Sequence, residues 1–171
     1  RYLLEEGFDV RVIEQKEIKG SGSAIKLLKG CTEEDFVVVN GDNLFSSEDL
    51  SLLRERDGEF CMLAKKVKNP EKYGVLALDD EVLVEIIEKP KHFVGDLINV
   101  GAYHFTQEIF DFLDKIKKSE RGEYEIVDAL TLAAKEKKVR VLKLKDYWLD
   151  LGCPEDIGKI EGFLNDKRNN I

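Results

Sequence analysis

The spacing of apolar residues changes several times along the chain. Over 35–40 it becomes continuous (Phe36-Val37-Val38-Val39), as in a strand buried on both faces of a parallel sheet. Further strands are predicted over 60–67, 74–78, 82–88, 97–105 and 139–144. Asp79-Asp80 supplies a hairpin turn between the second and third of these, and Pro90 closes the third. Helical spacing runs over 106–118 (Ile109, Phe110, Leu113, Ile116) and 123–137 (Ile126, Val127, Leu130, Ala133). Shorter helices are predicted at 24–29, at 48–56 with Ser46 or Ser47 as cap, and at 154–165, where Pro154 suits a first turn. At the front, 1–6 read as the end of a helix closed by Gly7, and 8–14 as a strand. A chain that opens inside a helix suggests upstream structure. The polar tail 166–171 reads as frayed.

This order gives α/β alternation at the start and a hairpin-rich middle, in a length that suits one domain. The hydrophobic fraction of 43% is enough for a core. No apolar run approaches the roughly 18–20 residues of a membrane span, so the expectation is a soluble, cytoplasmic protein without a membrane partner. With Lys and Arg at 27 against Asp and Glu at 35, the net charge of −8 argues against nucleic acid as a partner. A nucleotide remains open to it, because one triphosphate needs a few local donors and a cation. High charge with only Gln15 and Gln107 as glutamines points weakly to a heat-adapted source. Cys31, Cys61 and Cys153 have neither zinc nor redox spacing and read as reduced. His92 and His104 complete no nucleophile signature.

Four places suit chemistry. Asp42 follows the apolar strand by two residues, where open α/β sheets bind ligands, and a carboxylate there can hold a divalent cation. A turn aspartate bonding its own backbone would look the same. Asp150, in YWLDLGCPEDI, sits among apolar residues and needs a partner or a metal; a cap or turn is the plainer reading. Two carboxylates together with phosphate oxygens make a usual Mg²⁺ arrangement. Residues 15–24 place the Gln15 amide before glycines and a helix, where backbone N–H groups can meet an anion or a base edge. Glu88-Lys89-Pro90 puts a carboxylate and an ammonium at a strand end, either facing a cleft or decorating the surface.

Taken in order, six segments resemble motifs of the sugar-phosphate nucleotidylyltransferase family. QKEIKGSGSA resembles its Q-x-x-x-x-G-T-A-x-A, and VVVNGDNLF its strand ending in G-D. YGVLALD with EIIEKP resembles its Y-G-V hairpin ending in E-K-P. LINVGAYHF, RGEYEIVDAL and WLDLGCPEDI resemble N-x-G-x-Y-x-F, R-G-E-x-E-I-T-D and W-x-D-x-G-T-P-E.

The resemblance implies a Rossmann-like three-layer α/β/α core with a mixed sheet and inserted sugar-binding hairpins. It implies transfer of a nucleotidyl group from UTP or dTTP to a sugar-1-phosphate such as glucose-1-phosphate, with release of pyrophosphate. Asp42 and Asp150 would bind Mg²⁺, and Lys89 and Arg121 would hold the sugar phosphate. Gln15 and Gly20 would meet the base; Tyr73, Gly74, Glu88, Asn99 and Gly101 would line the sugar site.

Ser21-Gly22 stands where the family has Thr-Ala, and Cys153 where it has Thr. The family's opening strand, its Gly-rich loop and its catalytic lysine have no counterpart here. Two βα units would add roughly 60–80 residues. Residues 1–171 therefore read as an incomplete catalytic domain, inactive or very weak alone. A sugar-nucleotide-binding regulator and a glycosyltransferase are the alternatives. The second aspartate of an Asp-x-Asp motif is missing from Asp42-Asn43-Leu44. The oligomeric state, a homo-oligomer included, is left open.

Overall fold

A computed structural model describes residues 2–136 and 139–169. Its middle is a mixed six-stranded sheet. Across the sheet the order is β1 (Phe36–Val39), β6 (Leu97–Phe105), β3 (Phe60–Lys66), β7 (Val139–Lys143), β5 (Val82–Glu88) and β4 (Gly74–Asp79). Only β3 and β7 run parallel; the other neighbours are antiparallel. β4 also meets β6 at Val75 and Ile98, and β5 meets β7 at Val82 and Arg140, so the pairings of β6, β3, β7, β5 and β4 form a closed circuit.

Two apolar layers cover the sheet because its central strands are apolar on both faces. On one side Phe60, Met62, Tyr103, Phe105, Val139 and Val141 pack beneath α2 (Ser21–Lys26), α4 (Ile109–Lys115) and α5 (Ile126–Glu136). Helix α5 contributes Ile126, Ala129, Leu130 and Ala133, one stripe of a helix. On the other side Cys61, Leu63, Ile98, Val100 and Ala102 pack beneath α3 (Ser47–Arg54), whose Leu53 is fully buried. The three-layer α/β/α arrangement is therefore present, with the β4–β5 hairpin closing one end. Alternation accounts for the layers: on β3, residues 60, 62 and 64 face one helical layer while 61 and 63 face the other.

Several elements differ from the sequence expectation. Strand β1 is an antiparallel partner of β6 at the end of the described strand order, and Val39 is exposed. Among the described residues its one neighbour is antiparallel, and its β-branched run reflects a propensity that does not choose a partner. Residues 8–14 form no strand. Phe8 and Val12 are 59% and 80% exposed, and no described strand lies beside them to complete a ladder. The preceding helix α1 (Tyr2–Glu5) is closed as expected, with Gly7 at φ 81° and the Phe8 N–H donating to the Leu3 carbonyl. Helix α2 starts three residues earlier than predicted, and α4 and α5 are shorter than predicted. The final helix α6 (Asp156–Asn169) runs well into the segment read as frayed, and its Phe163 packs on Tyr147 at 4.7 Å. Residue 137, the last of the fifth predicted helix, and residue 138 lie outside the described ones.

Two strands were not foreseen. β2 (Asn43–Phe45) and β8 (Trp148–Asp150) form a separate antiparallel pair. Residues 43 and 150 face each other in it, so it sits where the first and last chemical motifs meet.

Candidate active site

The β2–β8 pair carries the two carboxylates expected to act together. Asn43 is the cross-strand partner of Asp150. Asp42 stands one residue before β2, and its carbonyl accepts from the Leu151 N–H at 2.9 Å. Asp150 is half-buried, and its carboxyl is held above the usual aspartate range, first by burial and then by the charges of Asp42 and Asp156. Asp42 and Asp156 thus both bear on Asp150. Asp156 is the neutralised one: Lys159 at 2.7 Å and the Cys153 thiol at 3.2 Å hold it down to about 2. Among the described residues Asp150 has no such partner. A half-buried carboxylate with a second one near enough to raise it suits a hard divalent cation.

Asp42 is oriented by its neighbours. Its Oδ1 accepts from Asn43 Nδ2 at 2.7 Å, and Asn43 Oδ1 accepts from Trp148 Nε1 at 2.6 Å. The connections on either side are fixed by Asp49, a buried residue of α3. Asp49 accepts from the Lys145 and Asp146 N–H groups at 2.8 and 3.1 Å and from the Ser46 hydroxyl at 2.8 Å. Ser46 caps α3 by accepting from the Asp49 N–H. The chain just after β2 is thereby tied to the chain just before β8.

A second cluster gathers at the β4–β5 hairpin. Gly74 pairs with Glu88, and a side chain at Gly74 would lie 3.0 Å from Glu88 Oε2 and 3.8 Å from Asn99. The Lys89 N–H donates to the Tyr73 carbonyl at 3.0 Å, and Lys89 takes a left-handed φ of 44°. A strained lysine before a proline is a functional pointer, since such conformers persist only where surroundings impose them. Asn99 donates to the buried Tyr103 hydroxyl at 2.8 Å and accepts from the Gly101 N–H at 3.1 Å. Burial pushes the Tyr103 hydroxyl up to about 12; Asn99 opposes the shift and the Glu88 charge adds to it. Arg121 is clasped by Glu125 at 2.8 and 3.1 Å, which raises its already high basicity, with a further contribution from Glu88. Arg121 therefore lies within electrostatic reach of Glu88.

Gly101 joins this cluster to the strand that leads to Asp42. It has φ 76°, and a Cβ there would fall 2.6 Å from Asn40 Cγ. The Asn40 N–H donates to the Gly101 carbonyl at 2.8 Å, and the Asn43 N–H to the Asn40 carbonyl at 3.3 Å. Tyr73 also touches Trp148 edge to face, at 6.1 Å and 68°, which links the hairpin to β8.

Gln15 and Gly20 form a third group. Gln15 donates to the Gly20 carbonyl at 3.3 Å. Gly20, at φ 96°, would place a Cβ 2.6 Å from the Tyr124 carbonyl oxygen. The Gly22 N–H donates to that same carbonyl, and Ser21 accepts from the Ile126 N–H at the start of α5. Among the described residues no hydrogen bond joins this group to Asp42 or Asp150. The glycines are thus required by the docking of this turn on residues 123–126.

The sequence reading missed Asn43, Trp148, Asp49 and Glu125. Asn43 and Trp148 lie inside motifs already singled out, but a pairing across the chain leaves no local signal. Asp49 read only as a polar helix position. One further group could hold a metal: ligand atoms of Asp35, Asp57 and His104 lie within 4.8 Å of one another. It lies at the start of β1, away from the end that leads to Asp42. There Asp35 accepts from the Gly58 N–H at 2.7 Å, and His104 Nδ1 lies 2.8 Å from the Glu59 carbonyl oxygen.

The mixed sheet between helical layers matches the fold of solved nucleotide-sugar transferases. The chain belongs to the Nucleotidyl transferase family, whose pattern it matches over residues 2–167. It is 41% identical over 161 residues to the bifunctional protein GlmU of Methanocaldococcus jannaschii, covering 94% of this chain and 39% of that protein. It is 40% identical over 162 residues to the bifunctional sugar-1-phosphate nucleotidylyltransferase/acetyltransferase of Sulfurisphaera tokodaii, covering 91% of this chain and 39% of that one. The chain thus spans about two fifths of the length of these relatives, 39% in each case. A UDP-glucose pyrophosphorylase solved in complex with UDP-glucose superposes with a TM-score of 0.78 at 26% identity, covering 91% of this chain and 65% of that one. No helix among the described residues is long and apolar enough to cross a membrane.

Proposed function

We propose that the protein transfers a nucleotidyl group from UTP or dTTP to a sugar-1-phosphate, glucose-1-phosphate or a close relative, with release of pyrophosphate. The observation that supports this reading is the pairing of Asn43 with Asp150 across β2 and β8, together with an Asp150 carboxyl raised by burial and by the charge of Asp42. The likeness to a protein solved with UDP-glucose favours UTP.

On this reading an oxygen of the sugar phosphate attacks the α-phosphorus in line, and no covalent enzyme intermediate is needed. Catalysis is then placement and charge compensation. Asp42 and Asp150 would hold Mg²⁺, which when bound supplies positive charge at the α-phosphate. Lys89 and Arg121 offset the repulsion between the incoming phosphate and the triphosphate, and the Glu125 clasp fixes where Arg121 can reach. Glu88 accepts hydrogen bonds from sugar hydroxyls, with Tyr73, Gly74, Asn99 and Gly101 shaping that wall. Gln15 and Gly20 take the base side.

The test is pyrophosphate release by the full-length protein over a grid of four nucleotides and several sugar-1-phosphates. Turnover confined to UTP or dTTP with a hexose-1-phosphate is expected. Sugar transfer to an acceptor without pyrophosphate release would overturn the proposal.

A further inference from the structure

We propose that Asn43 is a positioning residue for Asp42, itself held by the indole of Trp148. The inference rests on the reading of Asp42 as a metal ligand and deepens it.

The two hydrogen bonds allow one orientation of the Asn43 amide. An indole N–H can only donate, so the group 2.6 Å from Trp148 Nε1 is the amide oxygen. An ionised carboxylate can only accept, so the group 2.7 Å from Asp42 Oδ1 is the amide nitrogen. Both ends select the same rotamer, and a flipped amide would break both bonds. Trp148 is itself immobilised. It is buried, it pairs with Phe45 across the β2–β8 ladder, and its ring meets the edge of Tyr73. Lys65 lies 5.5 Å from the ring centroid and donates to the Trp148 carbonyl at 3.3 Å.

Asp42 is exposed and would otherwise sample several rotamers. The relay fixes Oδ1 and leaves Oδ2 without a hydrogen-bond partner among the described residues. A ligand carboxylate held through one oxygen loses less entropy on binding a cation. Outer partners of this kind are typically worth about 10–100-fold in metal affinity.

The test is Mn²⁺ binding to the 171-residue chain, with free Mn²⁺ read by electron paramagnetic resonance. Asn43→Ala removes the link. Trp148→Phe removes only the indole N–H and keeps an aromatic ring in the core, so it covers the case in which Asn43→Ala does not fold. Asp42→Ala is the control. The chain has a single tryptophan, so a ¹⁵N-labelled sample gives one indole N–H resonance to follow during a Mg²⁺ titration. The expected result is that Asp42→Ala abolishes binding, Asn43→Ala raises the Mn²⁺ dissociation constant about tenfold or more, and Trp148→Phe raises it about threefold or more. The indole resonance should shift on saturation in the parent and stay still in Asn43→Ala. If Asp42→Ala abolishes binding while both other variants remain within about threefold of the parent, the positioning role is overturned and the metal reading stands. If the parent does not bind, or Asp42→Ala binds as the parent does, the metal reading falls and takes this inference with it.

Discussion

Asn43 and Asp150 are direct cross-strand partners in a three-residue antiparallel ladder. Through that pairing, carboxylates from early and late in the chain come to bear on each other. The ladder is short and lies outside the main sheet, so its geometry depends on what braces it: Asp49 behind, Trp148 beside, and Phe45 in the apolar layer.

Asp49 is the first brace to test. Replacing it by alanine leaves the buried Ser46 hydroxyl and the part-buried Lys145 and Asp146 N–H groups without their acceptor. A buried group left unpaired costs about 1–3 kcal/mol and part-buried ones less, so Asp49→Ala should lose at least about 1 kcal/mol. Urea unfolding should show a lower midpoint at unchanged slope. Ser51→Ala, which removes an exposed hydroxyl bond to the Ser47 carbonyl, should stay within about 0.5 kcal/mol.

Gly101 offers a controlled comparison. Gly101 and Gly30 have nearly the same φ, 76° and 77°, yet a Cβ meets Asn40 at the first and nothing within 4 Å at the second. Gly30→Ala should therefore cost only the left-handed backbone, about 1–2 kcal/mol. Gly101→Ala should cost more, and the excess measures the contact with Asn40. Equal losses in denaturant titrations would show that Asn40 simply moves aside.

Tyr103 reports on Glu88 through pH. Its hydroxyl is raised from the ordinary value of 10 to about 12, mainly by burial. In the unfolded chain it ionises near 10, so between 10 and about 12 only the unfolded form has given up the proton. The stability it contributes is therefore complete below pH 10 and is lost as pH rises toward about 12. An absorbance titration of tyrosinate should find a late transition from Tyr103. Glu88→Gln removes a nearby negative charge and should lower that late transition; no change would place Glu88 away from the sugar wall.

Much of this was legible in the sequence, and the exceptions share a cause. β3, β5 and β6 follow the predicted limits closely because their residues alternate or run apolar into two packed layers. β2 and β8 escaped notice because three residues show no period, and what makes them strands is each other. Residues 8–14 failed in the reverse sense: Phe8 and Val12 favour a strand, but no described partner completes it. At the site, Asp42, Glu88 and Asp150 stood out through their neighbours in sequence. Asn43 and Asp49 did not, because Trp148 and residues 145–146 are brought near them only by folding; Glu125 lies four residues from Arg121, inside a motif already quoted, and was passed over.

The most direct measurement compares pyrophosphate release by the full-length protein with that of Asp42→Ala and Asp150→Ala at saturating Mg²⁺. A cation at a phosphoryl centre is worth several kcal/mol, so each variant should lose at least about 100-fold in kcat/KM. Rates within about threefold of the parent in either variant, with the fold intact, would contradict the assignment of Asp42 and Asp150 as the metal pair.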